Sequence, residues 1–313
     1  MEKIATFTLN PAIDKSSRVD NVVPENKLYC ENPRYEPGGG GINVSRAVKK
    51  LGGSSLLIYT AGGLTGKRLD KLLDKEQLNE KPIHIKNSTR ENLIIREKST
   101  NLQYRFGMPG PSLSKNEVDK IKKEIQELSP YPKYLVLSGS IPADVSNNIY
   151  AELSEIAKSK GAKVIADVSG PPLKKVLKEG VFLIKPNLGE FQDLVGRELK
   201  DENEIKSEAR ELIAEKCCQQ IVISLGAGGA LLVNKEKAEF YRPPTVPIKS
   251  KVGAGDSMVA GIVLSLARGQ KMQKAVVYGL AAGSAAVMTP GTELCRKDDT
   301  DKLYQEMLTE FFA

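Results

Sequence analysis

Residues 163–185 read KVIADVSGPPLKKVLKEGVFLIK. Two short runs rich in Val, Ile and Leu, KVIADV (163–168) and VFLIK (181–185), flank a helical stretch at 171–178. Each run stops at Ser, Gly, Pro or Asn, the punctuation of a strand buried on both faces. The rhythm extends outward. KYLVLSG (133–139) and QIVISL (220–225) are strands of the same kind, and residues 115–128, 146–160 and 202–217 have helical patterning. Alternating strands and helices predict an α/β fold, a mainly parallel sheet with helices on both faces and right-handed crossovers. Residues 15–35 and 87–108 depart from this rhythm. They alternate polar and apolar residues, as in NLIIRE and QYRFGM, with no helix of useful length between. They read as strands of a small β lid inserted into a single domain spanning residues 1–313. Its apolar face needs covering, which predicts a homodimer through the lid.

Composition narrows the classes. A 313-residue chain with 40% hydrophobic content buries a sizeable core. The excess of 46 Lys+Arg over 39 Asp+Glu suits an anionic ligand, but it is spread thinly and forms no nucleic-acid stripe. Cys30, Cys217, Cys218 and Cys295 show no C-x-x-C spacing and read as free thiols in a reducing cytoplasm. The start, MEKIATFTLNPAID, has no basic stretch followed by an apolar one, so no signal peptide is expected. The longest uncharged run, 275–292, is interrupted by Gly279, Gly283 and Pro290; it reads as a closely packed buried helix and loop, and no membrane span is expected.

Several motifs fail on inspection. GGLTGKR (62–68) is one spacer short of a P-loop and has Arg68 where a hydroxyl should follow the lysine. Neither GAGDSM nor GAGGAL makes a dinucleotide fingerprint, which disfavours a Rossmann dehydrogenase. The lone histidine, His84, can support neither a triad elsewhere nor a multi-histidine metal site.

Three loops remain. In VGAGDSMVAG (252–261) two glycines precede an acid and a small-residue run, so first-turn amides are free to meet an anion. Asp256 would stand where the helix dipole holds it ionised and able to take a hydroxyl proton, although a capping role fits the isolated motif equally well. EPGGGGINVSRA (36–47) also runs into a helix, at 42–50, and four consecutive glycines suggest a ligand lying against the backbone. In KPNLGE (185–190), Asn187 and Glu190 stand three apart, which suits a hydrated Mg²⁺ and is also an ordinary capping pattern.

Together these motifs resemble those of the ribokinase-like (PfkB) family of sugar kinases over residues 8–299. The glycine signature matches as PGGGGINVSRA and the C-terminal one as VGAGDSMVAG. TLNPAID, YRFGMPG and GSAAVMTPGT are most similar to the minor bacterial 6-phosphofructokinase branch. The resemblance implies ATP-dependent phosphorylation of the C1 hydroxyl of fructose 6-phosphate. Asp256 would be the base, and the amides of Gly253, Ala254 and Gly255 the anion hole. Asp14, Gly39, Gly40 and Asn43 would line the sugar pocket with Ser140, and Arg90, Lys27 and Arg105 would supply cations for the sugar phosphate. ATP would lie over Ser224, Gly226 and Gly229, near Lys185, Asn187 and Ser284. Mg²⁺ would be held through water by Asn187 and Glu190, with Asp167 in support. By analogy alone, K⁺ would be bound by carbonyls of Ser250, Val252, Ala286, Thr289 and Gly291. A tagatose-6-phosphate kinase or 1-phosphofructokinase is the alternative; those relatives usually carry Lys where this chain has Gly40. A non-catalytic sugar-phosphate sensor would be marked by loss of Asp256 or of the anion-hole glycines, and both are intact.

Overall fold

The computed structural model describes residues 3–312. The chain opens with β1 (Ile4–Thr8), β2 (Ala12–Val19), β3 (Arg34–Gly38) and α1 (Gly40–Lys50). It continues through β4 (Leu56–Gly62), α2 (Gly63–Lys75), β5 (Asn79–Ile85), β6 (Arg90–Glu97) and β7 (Gln103–Phe106). The central run is α3 (Lys115–Gln126), β8 (Tyr134–Ser138), α4 (Ile149–Ser159), β9 (Lys163–Asp167), α5 (Gly170–Glu179) and β10 (Val181–Ile184). Then come α6 (Leu188–Val195), α7 (Glu202–Ala214), β11 (Cys218–Ser224), β12 (Ala230–Asn234) and β13 (Ala238–Tyr241). Three helices close the chain: α8 (Ala254–Ala267), α9 (Met272–Val287) and α10 (Lys297–Phe312).

Nine strands form the main sheet in the order β13-β12-β11-β10-β9-β8-β1-β4-β5. It is parallel from β5 to β11, with Phe7 opposite both Ile58 and Leu137, and ends in an antiparallel meander of β12 and β13. Side chains alternate across it. Ala5, Phe7 and Leu137 face the layer of α3 to α7, whereas Ile4, Val136 and Leu183 face α1, α8, α9 and α10. The apolar run at 275–292 is therefore internal: α9 packs on α8 and on α10. No helix of the described residues is long and apolar enough to cross a membrane.

The two irregular segments supply a separate four-stranded sheet, ordered β3-β2-β6-β7, in which β2 and β6 run parallel with Ala12 opposite Arg90. Its first strand begins at Ala12, three residues before the predicted start, so Asp14 belongs to this small sheet. The helix predicted at 202–217 stops at Ala214 because Lys216 takes a left-handed turn, φ 63°, into β11.

The α8–α9 contact is nearly backbone on backbone. A methyl group on Gly279 would stand 2.5 Å from Ile262 Cγ1 and 2.6 Å from the Met258 carbonyl oxygen. Overpacking such a contact costs about 1–3 kcal/mol, or very roughly 2–4 °C per kcal/mol at this chain length. Gly279→Ala should lower the melting temperature by at least a few degrees in a thermal melt; an unchanged melt would show that the helices separate freely.

Candidate active site

Residues at the carboxyl ends of five parallel strands meet here: Thr8, Ser138, Asp167, Lys185 and Ser224 end or directly follow β1, β8, β9, β10 and β11. Open α/β sheets bind ligands at this edge because helix N-termini gather there. Gly253, at φ 76°, turns the chain into α8 with no side-chain cap, which leaves the first-turn amides unclaimed by any side chain. Asp256 lies in that first turn, and its Oδ2 accepts 2.9 Å from Asn43 Nδ2 of α1. The two glycine loops, 213 residues apart in sequence, are thus joined by one hydrogen bond.

Lys185 is 5% exposed, and its ammonium lies 3.1 Å from Asp167 Oδ1. Burial pushes the ammonium down, but Asp167, Glu190 and Asp256 outweigh it and hold it above the ordinary lysine value. Asp167 Oδ2 accepts from the buried Ser138 hydroxyl at 3.1 Å. Asp256 departs from expectation. Burial, then the like charge of Asp167, pushes its carboxyl up to about 7, against the Asn43 hydrogen bond and the cations Lys185 and Arg105. A helix end carries only about half a charge, too little to offset lost water and a full neighbouring charge.

The run at 38–41 is also glycine for reasons internal to the protein. A methyl on Gly38 would fall 2.5 Å from Asp14 Oδ2, one on Gly40 2.1 Å from Ser138 Oγ, and one on Gly41 2.5 Å from Thr8 Oγ1. Gly39, at φ 123°, is the uncapped start of α1. The loop is pressed onto Asp14 and the strand ends, so close packing joins ligand access as a reason for these residues. Asp14 Oδ1 accepts 2.8 Å from Asn92 Nδ2 of β6.

Arg90, on β6, donates to the carbonyls of Met108 and Asn10, each at 3.1 Å, and reaches the exposed Ser140 hydroxyl at 3.5 Å. Arg105 is exposed on β7 and lines a groove of about 1180 Å³ that also takes in Ser250, Val252 and Gly291. Lys27 does not line this groove. It is exposed, its ammonium 5.2 Å from the Tyr29 ring centre, and it makes no hydrogen bond or ion pair among the described residues.

Ser224 is tied by its amide to the Pro186 carbonyl at 3.0 Å, which sets Asn187 beside the turn carrying Gly226 and Gly229. Ser284 sits on α9, one residue from Gly283, whose α-carbon packs toward the Ala254 carbonyl at the start of α8. Asn187 and Glu190 cap α6 for each other: Asn187 Oδ1 accepts from the Glu190 amide and Glu190 Oε2 from the Asn187 amide, each at 2.9 Å. The capping pattern is therefore real and leaves Glu190 Oε1 for a ligand. No group of three or more His, Cys, Asp or Glu side chains able to hold a metal occurs among the described residues. That donor set fits a cation held through water and substrate phosphates, not a protein cage. Of the carbonyls expected at K⁺, Ala286 accepts from the Thr289 hydroxyl at 2.8 Å and Gly291 from the Ser250 hydroxyl at 3.0 Å.

Sequence reasoning missed Ser138, Asn10 and Asn92. Ser138 ends β8, Asn10 lies between β1 and β2, and Asn92 is the third residue of β6; each is a short polar residue that only its spatial partners mark out.

The chain belongs to the pfkB family of carbohydrate kinases, whose model matches residues 2–299. It is 40% identical to ATP-dependent 6-phosphofructokinase isozyme 2 of Escherichia coli, over 97% of this chain and 98% of that one. It is 32% identical to 1-phosphofructokinase of Borreliella burgdorferi over 98% of each chain. The crystal structure of phosphofructokinase-2 from Escherichia coli in complex with potassium matches with a TM-score of 0.94 at 40% identity, covering 98% and 99% of the two chains.

Because its folded pKa is raised, the Asp256 carboxyl contributes least to stability when ionised: stability falls as pH climbs from the ordinary aspartate value toward about 7. One pKa unit is ~1.4 kcal/mol, much of it screened at a cleft floor. Asp256→Asn should melt about 2 °C or more above the parent at pH 8, the gap closing as pH falls toward 4. A variant that melts at or below the parent at pH 8 would mean that the site stores no such repulsion.

Proposed function

We propose that the protein transfers the γ-phosphoryl group of ATP to the C1 hydroxyl of fructose 6-phosphate, forming fructose 1,6-bisphosphate. The observation that carries this reading is Asp256, fixed in the uncapped first turn of α8 and hydrogen-bonded to Asn43 of the sugar loop. Asp256 takes the hydroxyl proton, and the amides of Gly253, Ala254 and Gly255 receive the charge that builds on the transferring phosphoryl oxygens. Lys185 neutralises phosphate charge from the strand edge, and Asp14 accepts from the sugar hydroxyls. ATP lies along Ser224, Gly226 and Gly229, with Ser284 beyond. Mg²⁺, held through water by Asn187 and Glu190, supplies neutralisation of the ATP phosphates. K⁺ bound beside the anion hole is consistent with the potassium complex of the relative. Free thiols suit a cytoplasmic enzyme.

Arg90, Arg105 and Ser140 bind the sugar phosphate. Lys27, exposed between β2 and β3, is a further cation for the sugar phosphate. Leu28, Tyr29, Leu102, Phe106 and Met108 expose apolar surface on and beside the small sheet, which supports a homodimer through this lid. In the 1-phosphofructokinase reading, position 40 would carry lysine; here the space beyond Gly40 is taken by Ser138 Oγ, which favours fructose 6-phosphate.

ADP release is measured with MgATP and, separately, fructose 6-phosphate, tagatose 6-phosphate, fructose 1-phosphate and fructose. Fructose 6-phosphate should have the highest kcat/KM, and Asp256→Asn should lower kcat at least ~10³-fold with KM little changed. The acid limb of the parent's pH–rate profile should lie near neutrality, activity rising with pH as Asp256 ionises. Preference for another sugar phosphate would keep the mechanism and change the substrate; turnover surviving in Asp256→Asn would remove the base.

A further inference from the structure

Two side chains of β6, two residues apart and so on one face of the small sheet, grip the same residue. Arg90 Nη1 donates to the Met108 carbonyl and Asn92 Oδ1 accepts from the Met108 amide, each at 3.1 Å. Met108 belongs to the segment that leaves β7 for α3. The other end of the Asn92 carboxamide is also engaged: its Nδ2 donates 2.8 Å to Asp14 Oδ1. Asn92 and Asp14 stand opposite each other in the parallel pairing of β2 and β6, so the strand register itself sets this contact. Arg90 has a part in binding the sugar phosphate, whereas neither the motifs nor the mechanism use Asn92.

The carboxamide has one workable orientation. Turned end for end, its oxygen would face the Asp14 carboxylate and its NH₂ the Met108 N–H, an acceptor against an acceptor and a donor against a donor. The Met108 amide therefore decides that Asn92 presents a donor to Asp14. Oδ1 of Asp14 is taken by that donor, and Oδ2 lies on the side of Gly38, where a methyl group would come within 2.5 Å of it. Oδ2 accepts no hydrogen bond among the described residues and is not sealed in the interior. Two charged groups face Asp14: Arg90 on β6, whose guanidinium burial pushes down and the Asp14 charge pushes up, and Glu36, opposite Asp14 in register on β3. Neither hydrogen-bonds to it, so Asn92 is the one partner that orients the carboxylate among the described residues.

We propose that Asn92 is a positioning residue for sugar binding: its carboxamide, anchored on the Met108 amide, holds Asp14 Oδ1 and so turns Oδ2 toward the hydroxyls of the ketose phosphate. The inference rests on the sugar-phosphate kinase reading and adds the residue through which the small sheet aims the sugar-hydroxyl acceptor. The last torsion of an aspartate is broad and roughly two-fold, so a carboxylate without a partner samples many directions. A misaimed acceptor weakens sugar binding and leaves ATP binding alone. A neutral donor suits the place, because an amide orients the carboxylate without neutralising it, and the charge stays available to strengthen the bonds from the sugar.

The test compares the parent with Asn92→Ala and Asn92→Asp, measuring KM for fructose 6-phosphate, KM for ATP and kcat from about pH 8 down to about pH 5.5. Loss of one hydrogen bond to a charged group implies a rise of ~10-fold in KM for fructose 6-phosphate in Asn92→Ala, with KM for ATP within ~2-fold and kcat within ~3-fold. Asn92→Asp keeps the shape and the acceptor for Met108 but sets a second carboxylate against Asp14. At the alkaline end its KM for the sugar phosphate should exceed that of Asn92→Ala. Toward the acid end its ratio to the parent should fall at least ~3-fold, because two facing carboxyls take up one proton and a donor is restored. That trend is read within one isosteric variant, so it stands even if Asn92→Ala fails to fold. A KM for the sugar phosphate within ~2-fold of the parent in Asn92→Asp at the alkaline end overturns the proposal. So does a rise shared equally by fructose 6-phosphate and ATP and flat with pH, the mark of a purely structural residue. A parent that turns over no sugar phosphate overturns the functional reading itself, and this inference with it.

Discussion

A charged lysine buried at the edge of a sheet must be paired, and the site is arranged around that need. Lys185 is shielded from water, Asp167 lies 3.1 Å from its ammonium, and Asp256 and Glu190 add their fields. Removing one partner of such a group leaves an uncompensated buried charge, which is far more costly than the pair is stabilising. The same cluster sets the chemistry. Asp167 stabilises Lys185, and burial first and then the like charge of Asp167 raise the Asp256 carboxyl well above the ordinary carboxylate range, which suits its proposed role as base. A proton acceptor poised near neutral pH is a better base than one fully ionised at pH 4.

The packing below serves this cluster. The sheet carries five polar strand ends to one edge, and the two layers of helices fix their height. In one helix layer α8 and α9 meet almost backbone to backbone, and the uncapped start of α8 lies close to Lys185: a methyl on Gly255 would stand 3.6 Å from its Nζ. In the same layer α1 presses the glycine run onto Thr8, Asp14 and Ser138. Ser138 links the two, touching the glycine run and holding Asp167. Phosphoryl transfer asks the protein mainly for position and charge, and these contacts supply both.

Much of this was legible in the chain. The buried parallel strands are continuous apolar runs of three or four residues, a pattern that survives without knowledge of partners. The small sheet was visible through its period-two alternation, but its first strand began earlier than expected because Ala12 and Ile13 are buried and break that alternation. Asp256, Asn187 and Glu190 were found because their neighbours in sequence are informative. Ser138 and Asn92 were not, because a lone Ser at a strand end or a lone Asn within a strand has no informative neighbours in sequence.

By itself the sequence determined the α/β class, the two glycine loops, the acid in the first turn of α8 and the likeness to sugar kinases. These are local patterns, decided by side-chain periodicity and by which residues a tight backbone admits. Only the tertiary structure decided the raised pKa of Asp256, the ion pair of Lys185 with Asp167, the mutual capping of Asn187 and Glu190, and the close packing at Gly40. All but the capping depend on groups far apart in the chain, and burial, charge repulsion and steric space are properties of the groups that folding brings together.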